Sequence, residues 1–280
     1  MVERVAHAFL VAVVLLLTPA WAGAAEPTFT VEVGGAVHVF TRSQLLADPA
    51  LTEIQVARDN AYLTPMRYRA VPLDHLLAGF DLPRDQVLES VASDGFVGLL
   101  PVDLVLHPKP GGARAYLAIE PQDAPWPVIP GGKSSAGPFY IVWVNPEASG
   151  VRSEQWPYMV VTLRNTDSPA KRWPALAVDP ALPADDPVRA GQALFVIECL
   201  ACHKLNHAGS ADVGPDLNLP ENPTEYFQPG ALHRYIRDPA SLRHWPAMRM
   251  EGFNPTKLSD REIDEIIAYL GHMAGRKVAP

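Results

Sequence analysis

The sequence predicts an α+β protein of two domains, a mixed α/β domain over residues 26–168 followed by an all-α domain over residues 186–280. Three observations predict it. Strand-like runs alternating apolar and polar residues fall in the first 165 or so positions. A proline-punctuated stretch over residues 169–185 then interrupts any regular element. Beyond it, helix caps and a 3.6-residue apolar period replace the alternation.

Residues 1–25 read as an export signal: Arg4, the apolar run Ala8–Leu17, Pro19, and small-residue cleavage sites at Ala20-Trp21-Ala22 and Ala22-Gly23-Ala24. The run is shorter than the roughly 20 residues a membrane-spanning helix needs, so the processed chain is expected not to be an integral membrane protein. Thr28–Val33 and Ala36–Phe40 alternate about Gly34-Gly35, a pair able to take positive φ, and predict a β-hairpin. Thr41 caps a short helix over Ser43–Leu46, and Leu51–Ala57 adds a strand. Pro72 opens a helix through Leu77, closed at Gly79. Further strands are expected at Val87–Val91, running into a Ser93-Asp94-Gly95 turn, and at Ala115–Ile119, Phe139–Val144 and Tyr158–Leu163.

The proline-rich stretch reads as a semi-rigid linker in which Trp173 is available to pack on a domain. Asp186 and Pro187 then supply the N-cap and first residue of a helix carrying Gly191 and Phe195 on one face. Ala231–Arg237 after Gly230 gives a middle helix stopped by Asp238-Pro239. Ser259-Asp260-Arg261-Glu262 is a capping box. Ile263, Ile266, Ile267 and Leu270 follow at i, i+3, i+4 and i+7, predicting an amphipathic terminal helix closed near Gly271. Gly191 and Phe195 are expected to meet Tyr269 and Leu270.

A hydrophobic content of 48% supports two packed domains, and 29 prolines imply many short connections. The formal charge of −8 excludes nucleic acid as a natural partner and permits docking on basic protein surfaces.

The chemistry centres on Cys199-Leu200-Ala201-Cys202-His203, which holds both cysteines of the chain. Two thiols at this spacing reach the two vinyl groups of one porphyrin, and the next imidazole falls under the iron. The motif therefore predicts one covalently attached haem c per chain, with His203 as proximal ligand. The rival reading is a Cys-x-x-Cys redox disulfide, which calls for a preceding strand where a helix is expected here.

The pairing of first and last helices around this motif resembles class I c-type cytochromes. Three further places carry the likeness: Gly214-Pro215-Asp216-Leu217, the Gly230–Arg237 helix, and Met250-Glu251-Gly252-Phe253. In that family a loop proline carbonyl accepts the Nδ1 proton of the proximal imidazole, and a methionine is the sixth ligand. The resemblance thus implies a role for the Pro215 carbonyl and iron ligation by Met250, although Glu251 stands where the family has proline. Met248, His233 and His244 compete for that position, while His207 sits too close to His203 in the chain.

The first domain resembles the molybdopterin-binding domain of the sulfite oxidase type at Tyr68–Leu77, Ala92–Phe96 and Gly137–Trp143 with Gln155-Trp156. Those enzymes hold molybdenum through a cysteine thiolate. This chain has none outside Cys199 and Cys202, so the domain is expected to carry no molybdenum. His38, His75 and His107 read as surface or structural histidines, and Arg67, Arg69 and Lys133 as solvated charges able to meet an anion.

Together these readings predict electron transfer by a periplasmic haem c protein whose partners are a dehydrogenase, an oxidase or another cytochrome, with the first domain as docking or binding module. The alternatives are a ligand-binding or redox-sensing module with a haem relay, and a haem enzyme subunit.

Overall fold

The computed structural model describes residues 25–279, so the expected export segment lies, Ala25 aside, outside the described residues. Strands β1 (Thr28–Val33) and β2 (Ala36–Thr41) form the expected hairpin, with Gly34 and Gly35 at φ 57° and 83°. Thr41 and Gln44 cap α1 (Arg42–Leu46) reciprocally. Next come β3 (Thr52–Val56), β4 (Met66–Pro72), α2 (Leu73–Leu76), β5 (Val87–Ala92), β6 (Val97–Pro101) and α3 (Val102–Leu106). Strands β7 (Arg114–Ile119), β8 (Phe139–Val144) and β9 (Val160–Thr166) complete the domain.

The strands make two sheets, β2-β1-β9-β5-β6 and β3-β4-β7-β8. All pairings are antiparallel except β1 with β9, where Thr30 lies opposite Thr162. Side chains from both sheets share one core, in which Phe29 of β1 meets Phe139 of β8 at a 5.7 Å ring separation. Buried Asp59 accepts bonds from the Tyr68 and Tyr140 hydroxyls there.

Strands β4 and β6 are additional to the sequence expectation. Pro72 ends β4 and Pro101 ends β6, each passing straight into a single helical turn. Strand β9 starts two residues later than expected because Met159 takes a left-handed φ of 52°.

The second domain contains α5 (Pro187–Glu198), α6 (Pro223–Tyr226), α7 (Ala231–Arg237), α8 (Pro239–Leu242) and α9 (Asp260–Ala274), preceded by the one-turn α4 (Pro169–Arg172). Helices α5 and α9 cross where a Cβ on Gly191 would stand 1.9 Å from the Glu265 carbonyl oxygen, so only glycine admits the contact. Phe195 packs on Tyr269 at 5.2 Å. Helix α9 continues past Gly271, where a Cβ would stand 4.0 Å from the Thr224 methyl, and stops at Gly275. Among the described residues no helix is long and apolar enough to cross a membrane.

Residues 169–185 are laid along the second domain. Leu176 and Val178 enter its core, and the Tyr269 hydroxyl donates to the Leu176 carbonyl at 2.8 Å. The Arg189 guanidinium donates to the carbonyls of Asp179, Pro180, Leu182 and Pro183.

Strands β5 and β6 lie between the domains. Leu88 and Leu100 face the first core, whereas Val87 and Leu99 join the core of the second domain. Glu89, fully buried on the same seam, accepts from Arg164 at 2.8 Å and from Arg172 and Ser210. Burial pushes its carboxyl up, but the bonds from Ser210, Arg164 and Arg172 outweigh that and hold it below the usual carboxylate range. Its stabilisation is therefore complete above the ordinary carboxylate pKa and is lost as the pH falls. Replacing Glu89 by Gln is expected to cost roughly 1–3 kcal/mol at neutral pH, less than a fully buried pair would lose because both arginines keep partial contact with water. Urea denaturation should show the variant converging on the parent protein in acid.

Candidate functional site

Helix α5 delivers the two thiols. The Asp186 carboxylate accepts from the Val188 amide at 2.9 Å and Pro187 occupies the first turn, so the start of the helix is fixed locally. At its other end the chain coils on itself. Leu200 N–H donates to the Phe195 carbonyl at 3.0 Å, Cys202 N–H to that of Cys199 at 3.1 Å, and His203 N–H to the same oxygen at 2.9 Å. Cys199 and Cys202 are free and half-buried.

One side of this loop is gripped by the segment 214–219. Nδ1 of His203 lies 2.9 Å from the Pro215 carbonyl, the Gly214 amide donates to the Cys202 carbonyl at 2.8 Å, and the Leu217 amide to that of Lys204 at 2.8 Å. A Cβ on Gly214 would stand 2.5 Å from Cε1 of His203, so the bare backbone is what lets the chain lie against the ring. Burial lowers the imidazole pKa, opposed by the Pro215 bond. The ring is therefore neutral at pH 7, with its proton on Nδ1 toward Pro215 and the Nε2 lone pair unengaged by any described residue.

Sequence reasoning missed the groups behind this grip. The Asp216 carboxylate accepts from the amides of Asn206, His207, Asn218 and Leu219, holding Asn206 and His207 at left-handed φ values. Asn206, Asn218 and Asn222 are buried and joined side chain to side chain at 2.8 Å. They donate to the carbonyls of Arg276, Met273 and Leu270 at and just beyond the end of α9. Three asparagines among apolar residues are the only local signal of this ladder.

The other side of the loop is walled by the first domain. The Val97 amide of β6 donates to the Ala201 carbonyl, inside the motif, at 3.0 Å. Arg152 bridges Glu198 at 2.6 Å and Glu262 at 2.7 Å, and the Ser153 hydroxyl donates to Glu198 at 2.8 Å. Burial, reinforced by Glu198 and Glu154, pushes the Cys199 thiol well up. Burial, with Glu154 and Asp94 next, pushes that of Cys202 up to about 12. Both stay protonated at neutral pH, the opposite of the lowered thiol a Cys-x-x-Cys redox centre uses.

Met248 and Met250 are both half-buried in the segment after α8. The charges of Arg249 and Glu251, which flank Met250, both act on the Cys202 thiol, so this segment borders the motif. Among the rival ligands, His233 has both ring nitrogens engaged, by Asp264 at 2.8 Å and Asp260 at 3.2 Å, and His244 is exposed. The exposed His207 points its backbone amide, not a free loop end, toward Asp216. Two free thiols at the end of a helix and a neutral imidazole with one nitrogen open are a donor set that fits a covalently held haem.

Glu154, at the same wall, has its carboxyl pushed up to about 7, first by burial and then by Glu198, with Lys257 opposing. Its folded pKa lies above the ordinary value, so the native state holds a proton that the unfolded chain has released. Stability should fall as the pH rises from about 4.5 to about 7 and then level off. Glu154→Gln is expected to flatten this part of a melting-temperature profile and to raise stability at pH values above that window.

Residues 188–274 match the family model described as Cytochrome c. A comparison with curated proteins found no match. The matched stretch runs from the second residue of α5 to the last of α9, encloses both the Cys199–His203 loop and the Met248–Glu251 segment, and gives the first domain no family. The match supports, in general terms, covalently bound haem c, haem-based electron transfer and redox-partner interactions. The helical region from α5 to α9 thus matches a cytochrome c domain.

Proposed function

We propose that the chain is an exported electron carrier with one haem c, joined through thioethers to Cys199 and Cys202 and ligated by His203 and Met250. The observation that carries this reading is the His203 imidazole, whose Nδ1 is committed to Pro215 and whose Nε2 is left free beside two unpaired thiols. When bound, the group supplies a one-electron iron couple. Pro215 orients the imidazole and raises its basicity, Gly214 lets the chain close on the ring, and burial of the loop keeps water from it. With Met250 sulfur as its second protein ligand the iron would keep no position for substrate and its potential would be raised, which suits electron transfer rather than bond-making.

Engagement of His233 by two aspartates supports a methionine over that histidine as sixth ligand. Periplasmic residence is proposed from the charged, apolar and small-residue pattern of the first 25 positions. The first domain is proposed to be a docking or binding module, a scaffold of molybdopterin-binding type without molybdenum, because residues 26–198 contain no cysteine. Its bonds to the motif loop favour a second reading beside simple transfer, in which a ligand or partner met by this domain alters the haem site.

Acidified organic extraction is expected to leave one haem on each chain, and replacing Cys199 and Cys202 by Ser to release it; a haem that washes off the parent protein refutes the reading. Met250→Ala should abolish the weak long-wavelength sulfur-to-iron band and lower the reduction potential. Met248→Ala should leave both, and loss of the band in that variant alone would exchange the assignment. Elemental analysis of natively produced protein should find no stoichiometric molybdenum.

A further inference from the structure

The segment carrying the two candidate methionines is tied down on both sides, by different domains. Downstream, a Cβ on Gly252 would stand 2.4 Å from the Arg237 carbonyl, and the Phe253 amide donates to the Ile236 carbonyl at 3.2 Å. Arg237 itself donates to the carbonyls of Phe253 and Leu258. Those anchors belong to α7, within the cytochrome domain. Upstream, the anchor is foreign. Arg249, between Met248 and Met250, donates to the Asp94 carbonyl at 3.0 Å and to its carboxylate at 3.2 Å.

Asp94 is a stiff point of attachment. It sits in the turn joining β5 to β6, where Ala92 N–H donates to the Phe96 carbonyl at 2.9 Å and Gly95 takes φ 94°. The other carboxylate oxygen of Asp94 accepts from the Phe96 amide at 3.1 Å. Three residues on, Val97 bonds the Ala201 carbonyl inside the Cys-x-x-Cys-His loop. One turn of the first domain thus touches both the segment that carries the thiols and imidazole and the segment that carries the methionines.

We infer that Asp94 is a positioning residue for the sixth iron ligand: through Arg249, the first domain holds the methionine segment closed over the haem. This rests on the reading that Met250 or Met248 is that ligand. Release of Arg249 leaves the downstream anchors in place, so the methionine segment would keep its resting position but be held there less firmly. An external ligand competing for the iron then gains access, which makes its affinity a measure of the tether. The ion pair is partly exposed, and removing it together with the carbonyl bond is expected to raise that affinity about threefold to tenfold.

The test uses the oxidised, full-length haem protein titrated with imidazole and followed by its visible spectrum. Arg249→Ala should bind imidazole about threefold to tenfold more tightly, Asp94→Asn by less because the main-chain acceptor remains, and the double variant no more tightly than Arg249→Ala. Arg249→Lys should recover much of the parent behaviour. Arg84→Ala, which removes an exposed ion pair to Asp103 elsewhere in the first domain, should change nothing. Parent-like affinity in Arg249→Ala, or additive effects in the double variant, overturns the inference while Met250→Ala or Met248→Ala still raises affinity strongly. If neither methionine variant raises it, the reading of the sixth ligand fails and takes the inference with it.

Discussion

Five residues carrying two thiols and an imidazole form no strand or helix, so the polar backbone groups of the Cys199–His203 loop that do not meet the Cys199 carbonyl must find partners elsewhere. The structure supplies those partners from three directions. The last turn of α5 takes the amides of Cys199 and Leu200, Gly214 takes the Cys202 carbonyl, and β6 takes the Ala201 carbonyl. The rest of the molecule can be understood as what holds these three suppliers in register. Gly191 lets α5 lock against α9, the asparagine ladder ties the 214–219 segment to the end of α9, and β6 is carried by a sheet of the other domain.

That last supplier makes the two domains mechanically one unit at the site. Val87 and Leu99 contribute apolar surface to the second core while their neighbours Leu88 and Leu100 serve the first, so neither β5 nor β6 can shift without disturbing both. Polar hubs pin the same seam. Glu89 joins β5, β9, the segment after it and the loop at Ser210; Glu198, immediately before the first thiol, joins α5 to Arg152 and Ser153. Both carboxylates are buried, so each needs its partners and each fixes a geometry as well as an energy. The exposed Arg84–Asp103 and Arg67–Glu53 pairs have no comparable role.

Local signals in the chain were legible wherever the physics is local. Thr41 and Ser259 close capping boxes over three residues, Asp186-Pro187 starts α5, and Gly34-Gly35 turns the hairpin, all as expected. Strand β6 escaped because both of its faces are buried, one on each domain, which erases the alternation that marks a half-buried strand. Strand β4 is hidden for another reason: Pro72 carries the signal of a helix start, although it closes the strand. Gly271 looked like a helix terminator, yet a glycine ends a helix only where the chain needs a left-handed turn, and here it does not.

The sequence by itself determined the chemistry: the spacing of Cys199, Cys202 and His203, the Gly214-Pro215 pair, the caps and the helix periods are all encoded within a few residues of one another. Only the tertiary structure decided that the first domain stands against that chemistry. The bonds from Val97 to Ala201, Asp94 to Arg249 and Arg152 to Glu198 join positions far apart in the chain. No short-range pattern encodes them, because they exist only once β5 and β6 have been packed between two cores.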